Sequence, residues 1–405
     1  MGDRHHRPVK VAELRLEHEI TPLLCAGYDR VIALVRWRER VLGWLHFEDV
    51  TGGAVPATMV RERLLDRLAV PLATAILGAP LRADEGNLPQ PPISVVVCTR
   101  DRSALLAQCL TRLFAVDYPA FEVVVVDNAS TSDASARVVA RFPAIYVRED
   151  RAGLDWARNR GLATARYDLI AFLDDDAQAD GDWLRALAHA FADPAVGAVT
   201  GFVAPAELET RAQILFEWGY GGMGKGLIPH LFYGFAMTAD ELIAAHDVGV
   251  GTNMAYRRGV LETLGAFDTA LDVGTPARGG GDLDMLHRVL VAGHTVRYDP
   301  AAIVWHRHRR EYAELRHQLE SDGRAFGVYL LTRWRRRSVP RRALLSFAVL
   351  RWGRWLVGRL LRGLVGRSEL PLPLLWAPLQ GLVRAPGAYR QTHRRDRRLR
   401  AGVAI

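Results

Sequence analysis

The chain has 405 residues, of which 49% are hydrophobic and 24% charged, a composition typical of a globular protein that buries a core. This composition excludes a disordered, collagen-like or coiled-coil chain. The formal net charge of +8 is unevenly distributed, because residues 333–405 carry eighteen arginines against Glu369 and Asp396, which makes this segment +16 and leaves −8 for the remainder.

Residues 1–88 are predicted to form a small α+β module. The stretches VKVAELRLEHEI, RVIALVRWR and VLGWLHFED alternate as strands do, and ATMVRERLLDRLAVPLATAIL has helical spacing, with a bend expected at Pro71. The run LPQPP that follows is predicted to be a linker, since consecutive prolines continue neither a helix nor a central strand. No pattern in this module points to a particular chemistry.

Residues 92–324 are predicted to form an open α/β sheet. Four apolar runs, ISVVVCT, FEVVVVD, IYVRE and YDLIAFLDDD, have the composition of strands in a parallel sheet, and stretches with helical spacing separate them. This alternation indicates right-handed crossovers between neighbouring strands. Two Gly-rich stretches, residues 216–235 and 272–281, are expected to be loops that close over a substrate.

Residues 325–405 are predicted to form a basic helical segment. On a helical wheel of residues 349–364, four arginines occupy one arc, the apolar residues lie opposite, and tryptophans stand at the borders, as in helices that lie on a membrane surface. The alternative is an ordinary surface helix that packs on the catalytic domain. The arginines are Arg351, Arg354, Arg359 and Arg362, and the apolar residues are Val349, Leu356, Val357, Leu360 and Leu364.

The sequence favours a cytoplasmic protein that associates peripherally with the inner face of the cell membrane. The three cysteines include no CxxC pair, which is typical of a reducing compartment. No apolar stretch follows the N-terminus as in a signal peptide, and no uncharged apolar run reaches the ~18 residues that a membrane span needs. The basic C-terminal segment therefore predicts contact with an anionic membrane surface rather than a span.

Polar residues follow three of the predicted strands, at the edge where open α/β sheets bind ligands. The first strand is followed by Thr99, Arg100 and Asp101, the second ends at Asp127, and the fourth ends in three consecutive acids, Asp174, Asp175 and Asp176. Adjacent carboxylates repel one another unless a cation neutralises them, and Mg²⁺ or Mn²⁺ with oxygen ligands is the natural partner. The alternative interpretation is a solvated acidic turn.

The first strand is not followed by a Gly-rich phosphate loop. The sequence CTRDR contains neither GxGxxG nor GxxxxGK[ST], which disfavours a dinucleotide-dependent oxidoreductase and a P-loop enzyme. A nucleotide would instead be held by side chains at the strand ends and by the metal.

Six motifs, in chain order, resemble the family-2 glycosyltransferases with the GT-A fold: SVVVCTRDR, VVVVDNASTSD, RAGLDWARNRG, LIAFLDDDA, GTNMAYRRG and GGGDLDMLHRVLVAG. The match covers roughly Pro92 to Arg324. The resemblance implies a Rossmann-like mixed sheet and the transfer of a sugar, with inversion, from a nucleotide-diphosphate sugar to an acceptor hydroxyl.

The resemblance also implies roles for individual residues. The donor nucleotide would be bound by the first two strand ends, by an Arg-Asn pair and by the acidic turn, and a divalent metal, Mn²⁺ or Mg²⁺, by the acidic turn and a His that follows a later strand. The implied donor-binding residues are Thr99, Arg100, Asp101, Asp127, Arg158, Asn159, Asp174 and Asp175. The implied metal ligands are Asp174, Asp176, His306 and His308.

A carboxylate near the start of GGGDLDML is the implied catalytic base. Asp282 aligns with the family's base, Gly281 stands where Glu is common, and Asp284 matches a second acid that is often present. An acceptor hydroxyl needs such a carboxylate within hydrogen-bond reach in the transition state. The sequence leaves the choice between Asp282 and Asp284 open, and an N-cap role is the alternative for both.

Together these features predict a metal-dependent inverting glycosyltransferase that acts in cell-surface polysaccharide, glycolipid or natural-product glycosylation. Its predicted partners are a nucleotide-sugar donor, a hydroxyl acceptor, for which a lipid-linked molecule is one alternative, and an anionic membrane surface. A nucleotidyltransferase of similar fold is disfavoured, because no basic Gly-rich loop follows the first strand. A nucleic-acid-binding protein is also disfavoured, because the basic segment lacks interleaved stacking aromatics, and no nucleic-acid partner is expected.

Overall fold

The computed structural model describes residues 7–78 and 89–402. Its centre is a mixed sheet with a layer of helices on each face, and a small N-terminal module and a helical C-terminal region pack against this centre. The predicted α/β class, with a central mixed sheet and a helical C-terminal region, is therefore confirmed.

The N-terminal module is a three-stranded sheet covered by one helix. The outer strand β1 runs parallel to β3, and β3 pairs with β4 as an antiparallel hairpin. The helix buries Val60, Leu64 and Leu68 against this sheet. Within residues 7–78 the elements are β1 (Lys10–Arg15), β2 (Leu23–Leu24), β3 (Val31–Trp37), β4 (Arg40–Phe47), β5 (Ala54–Val55) and α1 (Ala57–Gly78).

A buried ion pair joins this module to the central domain. Arg36, which is fully buried, places Nη1 2.8 Å from Asp180 and Nη2 3.2 Å from Asp182. Arg15 reaches the same two carboxylates. Because Asp180 follows the acidic turn by only four residues, the module braces the chain directly after the predicted site.

The central sheet has the strand order β10-β14-β11-β13-β9-β6-β7-β8, and β12 pairs with the other part of β14. Strands β6 to β9 are parallel, as the sequence predicts, while β13 runs antiparallel between β9 and β11. In the described part of the chain the strands are β6 (Ile93–Thr99), β7 (Phe121–Asn128), β8 (Ile145–Glu149), β9 (Leu169–Asp174), β10 (Ala177–Ala179), β11 (Val196–Pro205), β12 (His230–Tyr233), β13 (Asn253–Arg257) and β14 (Thr295–His306).

Side chains alternate along the central strands and so form a core on each face of the sheet. In β6, Val95 and Val97 pack toward α2 and α5, and Val96 packs toward α4 and α9. The helices of this region are α2 (Ser103–Leu113), α3 (Ala134–Val139), α4 (Leu154–Thr164), α5 (Trp183–Ala190), α6 (Arg211–Ile214), α7 (Ala239–Ile243), α8 (Arg258–Leu264) and α9 (Gly281–Val291).

The C-terminal region packs on the central domain through two long helices. Helix α13 lies along α10 at close range, because Gly381 meets the backbone of Glu320 and Gly323 meets the backbone of Pro378. The domain boundary expected after residue 324 falls inside α10. The elements are α10 (Tyr312–Arg336), α11 (Arg341–Ser346), a π-helical turn (Phe347–Gly353), α12 (Arg354–Leu364) and α13 (Leu372–Arg400).

Among residues 7–78 and 89–402, no helix combines the length and the apolar character that crossing a bilayer requires.

Candidate active site

A cavity of about 980 Å³ opens at the carboxyl ends of β6 and β9. Thr99 and Arg100 line it from β6, Asn128 from β7, and the acidic turn from β9. The Gly-rich stretches contribute Met223 and residues 273–275, and one face of α10 forms a further wall. The strand ends that the sequence singled out therefore meet around one space, as expected for an open α/β sheet.

Hydrogen bonds hold the first two carboxylates of the acidic turn. Asp174 accepts a 2.7 Å hydrogen bond from the Thr252 hydroxyl. Asp175 accepts one of 2.7 Å from Thr99 and one of 3.1 Å from Arg102. Burial, together with the charge of Asp176, raises the pKa of Asp174, and burial raises the pKa of Asp175 to about 6.

The third carboxylate, Asp176, is the most cation-rich position of the turn. It lies 3.1 Å from Arg102, 3.4 Å from Arg309 and 3.3 Å from Nε2 of His306. Burial alone would raise its pKa, but the His306 ring and the two guanidinium groups hold the pKa of Asp176 well below its usual range. Asp176 is thus built to stay ionised at neutral pH.

A chain of polar contacts extends from Asp176 to the start of the first Gly-rich stretch. The pairing of β10 with β14 puts Ala177 opposite His306. The Nδ1 atoms of His306 and His308 lie 3.0 Å apart, and Nε2 of His308 lies 3.0 Å from Glu217. Glu217 belongs to a π-helical turn, residues 215–220, a geometry that is frequent at functional sites.

These side chains offer a partial metal-ligand set. Asp174, Asp176 and His306 all line the cavity, and carboxylate with imidazole is a donor set that suits Mn²⁺. In the described residues, however, no group of three or more His, Cys, Asp or Glu side chains is arranged closely enough to hold an ion. His308 does not line the cavity and stands behind His306. In this structure His308 contacts His306 and Glu217, and its predicted role as a metal ligand stays a prediction.

Asp282 stands at the start of α9 and is partly buried. It does not itself line the cavity, but it contacts Gly251, the neighbour of the cavity residue Thr252. Its carboxylate accepts 2.8 Å hydrogen bonds from the backbone N–H groups of Gly251 and Leu283. Thr252, the neighbour of Gly251, holds Asp174, so one short segment supports both acids. Burial and the charge of Asp272 raise the pKa of Asp282, although Arg158 opposes this shift. A raised pKa makes Asp282 a stronger base than a solvated aspartate.

Gly281 stands at the position where the family commonly has a Glu. A side chain of helix α4 fills the space beside it. A Cβ at position 281 would clash with Oδ2 of Asp155, which is fully buried in α4. Asp155 pairs with Arg158 at 3.0 Å, and burial raises the pKa of Asp155 well above its usual value. The close approach of Asp155 to position 281 explains the glycine, and no sequence pattern predicted this contact.

Asp284 does not line the cavity. Its carboxylate is fully buried and contacts the guanidinium groups of Arg288 at 2.7 Å, Arg336 at 3.0 Å and Arg333. Burial would raise the pKa of Asp284, but the three positive charges hold it below its usual value. Asp284 thus fastens α9 to α10, and its burial among these three arginines favours Asp282 of the two candidate bases.

The Arg-Asn pair of α4 also lies outside the cavity lining. Arg158 is buried and pairs with Asp155 and with Asp272 at 2.5 Å. Asn159 donates to and accepts from the backbone of Phe267, at 2.9 Å each. The donor contacts predicted for both residues stay predictions; in this structure their polar groups contact Asp155, Asp272 and the backbone of Phe267.

Two further predicted donor residues make local contacts. Asp101 accepts 2.8 Å hydrogen bonds from the backbone N–H and the hydroxyl of Thr131. Asp127 is buried and accepts hydrogen bonds from Ser130 and from Tyr146. Neither side chain lines the cavity, whereas Thr99, Arg100, Asp174 and Asp175 do.

The sequence reasoning missed the wall formed by α10. Glu314, His317, Gln318, Ser321 and Asp322 line the cavity from this helix. The polar residues at spacings of three and four in EYAELRHQLESDG carried the signal, because such residues share one helical face. Burial and the nearby charge of Asp282 raise the pKa of Asp322 to about 7.

Comparison with known proteins relates part of this chain to the glycosyltransferases. Residues 94–265 match the family model described as glycosyl transferase family 2. The chain carries a family-2 glycosyltransferase domain, which confirms the resemblance drawn from the motifs.

Known relatives are distant. The chain is 25% identical to a pre-mycofactocin glycosyltransferase of Mycobacterium tuberculosis over 267 residues, which covers 62% of this chain and 50% of that protein. It is 26% identical to a glucosyl-dolichyl phosphate glucuronosyltransferase of Haloferax volcanii over 188 residues, 44% of this chain and 56% of the relative. The chain thus spans about half the length of these curated relatives. A mannosyltransferase structure from Pyrobaculum calidifontis, in complex with GDP-Man and Mn²⁺, has a TM-score of 0.45 and 20% identity and covers 84% of this chain and 88% of that one.

Proposed function

We propose that the protein transfers a sugar, with inversion, from a nucleotide-diphosphate sugar to an acceptor hydroxyl, and that Asp282 is the base. The proposal rests on one observation: two neighbouring residues, Gly251 and Thr252, hydrogen-bond to two different acids. Thr252 holds Asp174 at the diphosphate side, and its neighbour Gly251 holds Asp282 at the acceptor side. A sugar between them would face a carboxylate on one side and cationic groups on the other.

In this reaction the acceptor oxygen forms a bond to the anomeric carbon while the bond from that carbon to the diphosphate oxygen breaks. Asp282 takes the acceptor proton, and the electron pair leaves with the nucleoside diphosphate. Arg102 and Arg309, both on the cavity wall, are placed to meet the developing negative charge. Asp282 cannot serve as a nucleophile and a base at once, so a single displacement with inversion follows.

We propose further that Asp174, Asp176 and His306 hold Mn²⁺ or Mg²⁺. When bound, the ion supplies positive charge for the diphosphate. The contacts of Asp176 with two arginines and a histidine show that its carboxylate attracts cations, which supports the assignment. If the arginines alone neutralise the turn, activity will persist in EDTA.

The test is release of nucleoside diphosphate from a panel of UDP-, GDP- and TDP-sugars, with Mn²⁺, with Mg²⁺ or with EDTA. We expect turnover with one donor group, its loss in EDTA, and a fall of about 10²–10⁴-fold in Asp282→Asn. The matched control is Asp117→Asn, because the Asp117 side chain is 95% exposed on a remote surface. Full turnover in Asp282→Asn contradicts the assignment of the base.

We also propose that α12 rests on an anionic membrane surface. The helix packs on the body through Leu356, while a second apolar stripe, Val357, Leu361 and Leu364, faces outward. Exposed arginines, Arg354 among them, adjoin this stripe. Apolar side chains beside arginines complement anionic lipid, and each arginine near such a surface adds about 1 kcal/mol.

This arrangement differs from the predicted helical wheel. Arg359 turns toward the body and donates to the carbonyl of Gly219 at 2.8 Å, and Leu360 packs with it. One face of α12 therefore packs on the body of the protein, as in the alternative interpretation of an ordinary surface helix. The membrane proposal concerns only the outward face.

Point variants test the membrane proposal better than truncation, because removal of α13 would expose the face of α10. We expect the native protein to sediment with phosphatidylglycerol vesicles at low salt, and Leu361→Ser with Leu364→Ser to stay in solution. Leu65→Ser is the matched control, since Leu65 in α1 is 64% exposed and Leu364 is 65% exposed. Equal sedimentation of all three proteins would refute the proposal, as would binding to DNA alone.

A further inference from the structure

Helix α13 presents one continuous face to solvent. Its opposite face packs against α10 at close range, through residues such as Gly381 and Ala385. Residues that are three, four or seven positions apart lie on the same side of a helix, so the exposed residues form a row on the side away from α10. We call this row the outer face of α13. In chain order it consists of Leu372, Trp376, Val383, Arg390, Arg394, Arg397 and Arg398.

The outer face is apolar at its start and basic at its end. Val383 is 80% exposed and Trp376 is 49% exposed. The four arginines are also exposed, and none of them forms an ion pair or a side-chain hydrogen bond with a described residue. The helix dipole favours arginines in the last turn, but Arg390 and Arg394 lie before that turn. Four guanidinium groups are therefore available to an anionic partner.

The basic end of α13 also holds two loops beside the cavity. On the inward side of the helix, Arg395 donates a 2.6 Å hydrogen bond to the carbonyl of Ala152, two residues before the cavity residue Leu154. Asp396 accepts a 2.5 Å hydrogen bond from the hydroxyl of Thr269, in the segment that leads to the lining residues 273–275. A partner on the outer face would therefore lie about one helix diameter, ~10 Å, from these loops.

An anionic membrane surface fits both parts of the outer face. Apolar side chains and a tryptophan suit the boundary between headgroups and acyl chains, and arginines suit the lipid phosphates. A nucleic acid would contact the arginines and leave the apolar part in water. A second copy of this face does not fit, because the face contains no carboxylate to pair with its arginines. The apolar part also adjoins the outward stripe of α12, because Gly363 lies against Leu372.

We propose that the outer face of α13 lies on an anionic membrane, with Trp376 and Val383 at the lipid boundary and Arg390, Arg394 and Arg397 on lipid phosphates. The inference rests on the membrane contact proposed for α12 and extends it. The membrane is then bound at two places, an apolar one on α12 and the start of α13, and a charged one at the end of α13. The charged contact belongs to the same turns of the helix as the residues that hold the cavity loops.

Sedimentation with two kinds of vesicle separates the two parts of the outer face. One kind contains phosphatidylglycerol, and the other contains phosphatidylcholine alone. In the triple variant Arg390→Gln, Arg394→Gln and Arg397→Gln we expect affinity for the anionic vesicles to fall about a hundredfold, because each arginine near such a surface contributes about fivefold. Its affinity for the neutral vesicles should stay unchanged. Trp376→Ser with Val383→Ser should weaken binding to both kinds, because apolar burial does not depend on lipid charge.

The matched control removes the same charge at other places. Arg112 in α2, Arg160 in α4 and Arg211 in α6 are exposed, and their joint exchange for glutamine gives a protein of the same net charge as the triple variant. We expect this control to bind the anionic vesicles as the native protein does. Melting temperatures show whether each variant is folded, and the binding assays contain no nucleotide sugar, so their outcome does not depend on the proposed transfer reaction.

Three results would overturn the inference. An equal loss of binding in the triple variant and the control would show that net charge acts rather than the outer face of α13. Full binding by the triple variant, beside lost binding in Leu361→Ser with Leu364→Ser, would leave the α12 contact standing and exclude α13. Binding of DNA in preference to anionic vesicles, lost in the triple variant, would assign the arginines to a nucleic acid. A native protein that ignores both kinds of vesicle would refute the α12 contact and this inference together.

Discussion

Asp282 and Asp284 lie two residues apart on α9, and exchange of each for asparagine should have opposite consequences. Asp284 and Arg333 are both fully buried, and Arg333 already has two nitrogens, Nε and Nη1, without a hydrogen-bond partner. In Asp284→Asn the Arg333 charge would remain buried without a counterion. Removal of one partner from a buried ion pair typically costs about 3–5 kcal/mol, so we expect a loss of that size in the free energy of unfolding.

Asp282→Asn should leave stability nearly intact. The N–H groups of Gly251 and Leu283 bond to different oxygens of Asp282, and an asparagine has only one oxygen. One of the two hydrogen bonds is therefore lost, which costs about 1 kcal/mol. Its turnover should nevertheless fall by about 10²–10⁴-fold, because the amide cannot take the acceptor proton. Asp284→Asn should retain most of its turnover per folded molecule.

Urea denaturation and single-donor kinetics on the same preparations measure both effects. The double variant Asp284→Leu with Arg333→Met is the internal control, because replacement of both partners of a buried ion pair by apolar residues is often neutral. We expect it to recover most of the stability lost in Asp284→Asn. A stable but inactive Asp284→Asn, beside an active Asp282→Asn, would refute the reasoning and make Asp284 the base.

Three other predictions follow from buried contacts. Arg36→Met should destabilise the protein by about 3 kcal/mol in urea, because it leaves Asp180 buried with only Arg15 as a counterion; unchanged stability would contradict the brace. Burial lowers the pKa of His287 to about 4, so the unfolded chain takes up this proton first and stability should fall as the pH drops from about 6.5 to 4. The control His287→Asn should lack this step in its melting temperatures. Glu217→Ala should weaken Mn²⁺ binding about tenfold, because His308 would lose the contact that lets it orient the proposed ligand His306. Calorimetry measures this affinity, and an equal affinity in the variant would exclude a role of Glu217 in orienting His306.

The part of the fold that the sequence predicts is the part set by local pattern. Strands β6 to β9 are short β-branched or aromatic runs separated by helices, which predicts parallel strands in one sheet. The pattern does not predict that β9 pairs with β6 and not with β8. The order of β11, β13 and β14 depends on contacts between distant segments. For example, β13 enters between β9 and β11 although it follows both in the chain. No periodicity in the sequence encodes that insertion.

The same limit explains which site residues could be predicted. The acids of the turn directly follow a strand, so their position at the sheet edge is a local property. The two acids of α9 cannot be separated in this way, because a spacing of two residues turns them to different sides of the helix. The feature that favours Asp282 is Arg333, which lies 49 residues after Asp284 and becomes its neighbour only when α10 packs against α9.

In the C-terminal region, the net charge of the sequence is larger than the charge that is free to bind a partner, because several arginines form ion pairs within the protein. Of the +16 in residues 333–405, part is neutralised inside the protein: Arg333 and Arg336 pair with Asp284, Arg351 with Asp247, and Arg384 with Glu320. The carboxylates in these ion pairs, Asp284, Asp247 and Glu320, belong to the acidic remainder of the chain. The opposite charges of the two parts of the chain are therefore partly matched by direct contacts. The region is therefore first a structural part of the protein, because Arg333 and Arg336 hold α9, which carries the proposed base Asp282. The membrane contact proposed above would use the arginines that stay exposed beside the apolar stripe of α12, such as Arg354 and Arg362.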